Sequence, residues 1–121
     1  MVEGRDLSRL GTILSEDAVF HSPVVHTPQV GKGRVQLYLT AAFHVFLNPT
    51  FKYVRKIVSD SDAVLEFVVE IDGITVNGVD MLKFDEAGMI CEFKVMLRPL
   101  KAVNIIHEKM GAMLAARSSM E

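Results

Sequence analysis

An α+β fold, with helices covering one side of a curved antiparallel sheet, is predicted by three features of the 121-residue chain. Strand-like runs crowd the stretch 51–97, at 51–58, 63–71, 74–84 and 89–97, and short turn sequences separate them: Ser59-Asp60-Ser61-Asp62, Asp72-Gly73 and Asp85-Glu86-Ala87-Gly88. Apolar spacing of the helical kind brackets these runs, at 34–47 and 100–117. Half of the residues are hydrophobic, which supports one buried core and a single domain over 1–121. A curved sheet covered in this way can enclose a cavity.

In order along the chain, Leu7, Leu10 and Leu14 share one side of 6–14 with Asp6 placed as the cap, which predicts a short helix. Residues 18–20 read as a brief strand. Pro23, Pro28, Gly31 and Gly33 make 21–33 an extended, turning loop. The stretch 34–47 lacks Gly and Pro and stops before Asn48-Pro49, so it reads as a mostly buried helix. In 63–71, Leu65, Phe67, Val69 and Ile71 share one face, and Glu66 and Glu70 lie opposite with Val64 and Val68. Cys91, Phe93, Val95 and Leu97 form the apolar face of the last strand. Pro99 then opens a helix whose stripe is Val103, Ile106, Met110, Met113 and Leu114.

The composition excludes several function classes. A net charge of -2, with dispersed lysine and arginine, offers no stripe for nucleic acid and no polybasic segment for a membrane. Cys91 stands alone, so neither an intrachain disulfide nor a cysteine-cluster metal site can form, and a reducing cytoplasm is the expected compartment. No segment approaches the roughly twenty apolar residues of a membrane span, and the first residues carry no apolar signal core. The four histidines show no His-x-x-x-His spacing, so no metal and no cofactor are expected.

Asp80 is the chemically informative residue. In Val79-Asp80-Met81-Leu82-Lys83-Phe84, strand alternation puts its carboxyl on the face of Leu82 and Phe84, opposite Lys83. An ionised carboxylate without a partner costs several kcal/mol to bury, as an order of magnitude, so it becomes protonated, finds a partner or lines a cavity. Burial raises its pKa and makes it a neutral donor or proton shuttle near neutral pH. The plainer reading is a carboxylate that caps a turn or is hydrogen-bonded to backbone at the mouth of such a cavity.

Three stretches carry a family resemblance: Ser15-Glu16-Asp17-Ala18-Val19-Phe20-His21-Ser22-Pro23-Val24, then Gly31 and Gly33 before a helix, then Gly78 through Ile90. In order and spacing the chain resembles the nuclear transport factor 2-like superfamily, the cone-shaped α+β fold of ketosteroid isomerases, limonene-epoxide hydrolases and SnoaL-like polyketide cyclases. The resemblance places Asp80 where ketosteroid isomerases keep a protonated aspartic acid that donates to an oxyanion. Ser22, before Pro23, stands where those isomerases have their base aspartate. Residues 3–7 resemble the segment just after their long first helix, the source of their tyrosine donor. Val95 stands where the epoxide hydrolases have an aspartate. Both of those activities are therefore disfavoured, and the helix 100–117 is expected to cover the cone in place of the first helix.

In such a cone the inward sheet face also lines the pocket, so Tyr53, Leu65, Phe67, Val69, Leu82, Phe84, Phe93, Val95 and Leu97 are the expected contacts to a small hydrophobic substrate. His21, Ser22 and His26, from the loop 21–30, join Asp80 as candidate catalytic residues, with His26 as base and Asp80 as acid. Strand alternation allows only one of His21 and Ser22 to face the cavity. Tyr38 is a further candidate donor, His44 reads as a core or interface residue, and His107 falls on the outer face of its helix. The mixed face of Glu66, Val68, Glu70, Lys94 and Met96 suggests a homodimer contact. The expected function is acid/base proton transfer of isomerase, cyclase, dehydratase or hydrolase type. The alternatives are non-catalytic binding of a hydrophobic metabolite and a dimeric accessory domain without ligand.

Overall fold

The strands between residues 52 and 98 form a meander because each turn closes locally. Ser59 N–H donates to the Asp62 carbonyl at 2.8 Å. Asp72 and Gly73 both take positive φ, 51° and 79°, the geometry a two-residue hairpin turn needs. Asp85 Oδ1 accepts from the backbone N–H of Ala87 and Met89 at 2.9 and 3.0 Å, and Gly88 supplies a third positive φ of 81°.

A computed structural model of the chain describes residues 10–119. The elements are α1 (Leu10–Ile13), β1 (Leu14–His21), β2 (Gln29–Val30), α2 (Lys32–Phe46), β3 (Lys52–Val58), β4 (Asp62–Ile71), β5 (Ile74–Phe84), β6 (Ile90–Arg98) and α3 (Leu100–Ser119). They form one six-stranded sheet in the order β2-β1-β6-β5-β4-β3, with the helices on its inner face. The α+β class holds, with one difference of direction. β1 runs parallel to β6, which makes the sheet mixed, since these two strands are joined through the rest of the domain and no hairpin dictates their direction.

Three local expectations are corrected. Leu14 begins β1, so the first helix is described only as Leu10–Ile13, and Asp6 and Leu7 lie outside the described residues. The loop 21–33 contains β2, which pairs with β1 through Val19↔Val30 and Phe20↔Gln29. Register shifts between Lys83 and Phe84, where Phe84 pairs with Ile90 and Lys83 with Glu92. Cys91 is the extra residue of this bulge. Ile90 therefore takes the buried place, and the half-buried Cys91 thiol donates to the Lys83 carbonyl at 3.4 Å.

The core has two parts, and α2 belongs to both. Val35, Leu39 and Phe43 pack with Phe20, Leu82, Phe93 and Val95. The last turns of α2, through Ala42 and Phe46, pack with Phe67, Val69 and Val76 and with Ala102, Ile106 and Met110 of α3. Relative to the stripe expected from sequence, α3 is rotated so that Ala102 is buried and Val103 only half-buried. Lys109 of α3 also reaches Asp72 in the β4–β5 turn, at 2.8 Å.

Candidate functional site

Asp80 lies in the middle of β5, in register with Leu65 on β4 and Val95 on β6, and is 8% exposed. Its carboxyl borders a cavity of about 30 Å³ at the seam between the two halves of the core. Leu39, Ala42, Phe43, Phe46 and Leu47 of α2 and its end form one wall, and Phe67, Phe93, Val95 and Phe51 complete it. Among the described residues every other one lining the cavity is apolar. Among the described residues no group hydrogen-bonds the carboxyl, so nothing offsets the loss of water around its charge. Burial pushes its pKa from 3.8 up to about 7. A group so poised in a cavity marks a candidate active site.

Of the nine side chains expected to contact substrate, the structure brings Phe67, Phe93 and Val95 to this cavity. Leu65, Leu82 and Phe84 pack in the first half of the core, Tyr53 and Val69 in the second, and Leu97 touches both. The hydroxyl of Tyr53 is buried, and its ring lies against Phe51 at 5.2 Å with Lys56 Nζ over one face. Tyr38 packs its ring against Phe20 at 6.1 Å.

The loop candidates stand elsewhere. His21, Ser22 and His26 line an open cleft of about 470 Å³ between the loop and α3, together with Asn104 and His107, and none of them lines the Asp80 cavity. The pairing of His26 with Asp80 as base and acid is therefore not assembled. β1 ends at His21, and the chain turns outward at Ser22, whose hydroxyl accepts from Val24 N–H at 3.1 Å. His21 and Ser22 both reach this cleft because strand alternation lapses at the turn. His21 Nε2 lies 3.7 Å from Glu92. His44, expected in the core or at an interface, is exposed on α2, which rules out the core place. Among the described residues no set of three His, Cys, Asp or Glu side chains is arranged to hold a metal, and no helix is long and apolar enough to cross a membrane.

The SnoaL-like domain family matches residues 1–93, most of the chain. The chain belongs to the SnoaL-like family. Its fold agrees with a steroid delta-isomerase from Pseudomonas aeruginosa, 37% identical with a TM-score of 0.91 over 98% of this chain and 86% of that one. A protein with a cystatin-like fold from Silicibacter pomeroyi DSS-3 is 30% identical, with a TM-score of 0.84 over 93% of this chain and 78% of that one. A nuclear transport factor 2-like protein from Mesorhizobium loti shares the fold at 18% identity, with a TM-score of 0.69 over 81% and 82% of the two chains. A search of curated proteins finds no match.

In this SnoaL-like chain, sequence reasoning missed the helical wall of the cavity. The signal was present: Leu39, Ala42, Phe43 and Phe46 stand at i, i+3, i+4 and i+7, one stripe of a helix. Because the residues of 37–46 are apolar or aromatic except for Thr40 and His44, that stripe does not stand out. Gln29 was also missed. It is 4% exposed, its amide donating to the Thr27 carbonyl and accepting from Arg34 Nε.

Proposed function

We propose that this protein catalyses proton transfer of the isomerase or cyclase type on a small apolar molecule held against Asp80. One observation carries the reading: a buried carboxyl with a pKa of about 7 is, among the described residues, the lone polar side chain of an otherwise apolar cavity. At neutral pH both of its protonation states are well populated, so one residue can donate a proton and recover it within a cycle. The base role expected of His26 passes to Asp80 itself. The neutral carboxyl donates to a substrate carbonyl oxygen and favours its enol, and the ionised form withdraws a proton from the adjacent carbon. Surrounding phenylalanines exclude water, which strengthens each of these interactions.

The Pseudomonas aeruginosa relative is a steroid delta-isomerase, which supports the reaction type. The cavity of about 30 Å³ has room for about two waters as it stands, so a ligand must displace its phenylalanine walls, which favours a substrate well below the drug-sized ligands of sites from about 300 Å³ upward. The test is deuterium exchange at the carbon next to the carbonyl of cyclopentanone in D2O, followed by NMR. The wild type is expected to accelerate exchange, and Asp80→Asn to lose on the order of 10²–10⁴ of that acceleration. Equal rates overturn the reading. Ketone binding without exchange, weakened in Asp80→Asn, assigns a non-catalytic binding pocket instead.

The partner proposed is a second copy across the outer sheet face. Ile57 and Met96 are exposed there at 57% and 53%, in a band with Val64, Val79 and Met81. Mixed charges flank the band, including Arg55 near Glu66 at 3.5 Å, as suits a two-fold contact. The proposed compartment is the cytoplasm, on the strength of the single thiol. The whole chain is proposed to act as one domain with α3 as the cover of the cone.

A further inference from the structure

Gly78 stands two residues before Asp80, on the same inner face of β5, and is directly opposite Phe67 on β4 and Leu97 on β6. Both of these side chains fold into the space that its missing Cβ leaves. A Cβ built at 78 would lie 2.8 Å from Phe67 Cε2 and 2.8 Å from Leu97 Cδ2, and closer still to Phe67 Cζ. Carbon atoms in contact keep about 3.5–4.0 Å, so a methyl group here cannot coexist with the present position of the ring. Glycine inside a strand weakens it and marks close approach of another group. Here the approaching group is the wall of the Asp80 cavity.

Phe67 has little freedom to yield sideways. Its ring stacks on Phe51 at 5.1 Å with 22° between planes, and meets the edge of Phe46 at 5.5 Å. A side chain at 78 pushes from the sheet, so the ring must lift toward α2. The cavity lies in that direction, between the sheet and Phe46. Volume lost there is volume taken from the space beside the carboxyl.

We propose that Gly78 and Phe67 form the pair that sets which ligands this site admits: the glycine seats the ring against the sheet, and the depth of that seat fixes the size of the space beside Asp80. This rests on the Asp80 cavity being the ligand site. Phe67 is the specificity-determining contact, and Gly78 is a positioning residue that acts through it.

The experiment measures xenon and benzene, two apolar probes that require no proton chemistry, by NMR titration of the wild type, Gly78→Ala, Phe67→Leu and the double variant. Affinity for both probes is expected to rise at least about tenfold in Phe67→Leu, as apolar cavities enlarged by truncation take such ligands. It is expected to fall below the wild type in Gly78→Ala and to rise above it in the double variant, where the shorter side chain removes the Phe67 contacts with the added methyl and Leu97 Cδ2 is the one left to shift. Unchanged affinity in Phe67→Leu, or tighter binding in Gly78→Ala than in the wild type, overturns the proposal. Should Gly78→Ala fail to fold, Phe67→Leu and the double variant decide alone, and a double variant that binds no better than the wild type counts against it. These probes ignore the carboxyl, so this result is separable from the exchange assay: a probe order that holds while cyclopentanone exchange is equal in wild type and Asp80→Asn leaves the seat standing and removes the proton-transfer reading.

Discussion

The carboxyl of Asp80 links stability to pH with a definite sign. Its pKa rises from an ordinary 3.8 to about 7 in the folded protein, so between these values the folded state holds a proton that the unfolded state has released. Stability from this group is fully present below about pH 4 and is lost as pH rises through about 7, by on the order of 4 kcal/mol in all. Asp80→Asn is expected to lack this term. Thermal unfolding of both proteins from pH 4 to pH 8 should show the variant gaining on the wild type as pH rises. Parallel curves would mean that the carboxyl is not held neutral. Alternation along 79–84 was enough to put Asp80 on the inner face, because a period of two follows from strand geometry alone. Its isolation from His26 was not legible, since that depends on where the chain turns after His21.

Among the elements, α3 is held chiefly by what it buries. Ile106 is fully enclosed between α2 and the sheet, and Ile106→Ala is expected to cost about 2–5 kcal/mol in urea unfolding. The Lys109–Asp72 ion pair is largely solvated, so Lys109→Ala should leave the urea midpoint close to that of the wild type. An inverted order of these two effects would show that charge rather than burial docks the helix. Removing 100–121 is expected to lower the melting temperature and broaden the size distribution, because Val69, Ile71 and Val76 lose their cover. An unchanged melting temperature and a monodisperse product would refute the covering role. The long, strongly patterned elements were legible from sequence. The two-residue β2 and the bulge at Cys91 were not, since both exist only through pairing with another strand.

For the whole molecule, the outer sheet face carries the expectation of a dimer. Met96 sits opposite Val79 in that face, and Met96→Glu places in the apolar band a charge that a two-fold contact would have to desolvate in both copies. Sedimentation is expected to show a dimer for the wild type and a monomer for this variant. Leu100→Glu, 75% exposed at the start of α3 rather than on the sheet, should leave the mass unchanged. A monomeric wild type, or a dimer unaffected by Met96→Glu, removes the proposed contact.

The amino-acid sequence by itself determined the α+β class, the order of the long elements and the inward position of Asp80. Each of these rests on local periodicity, turn chemistry and the requirement that apolar faces be covered. The tertiary structure alone decided that the cavity lies where the two halves of the core meet, that α2 supplies its wall, and that the histidines gather against α3. It also decided that Phe67 rests in the gap at Gly78. These outcomes depend on distances between segments far apart in sequence, which no local pattern encodes.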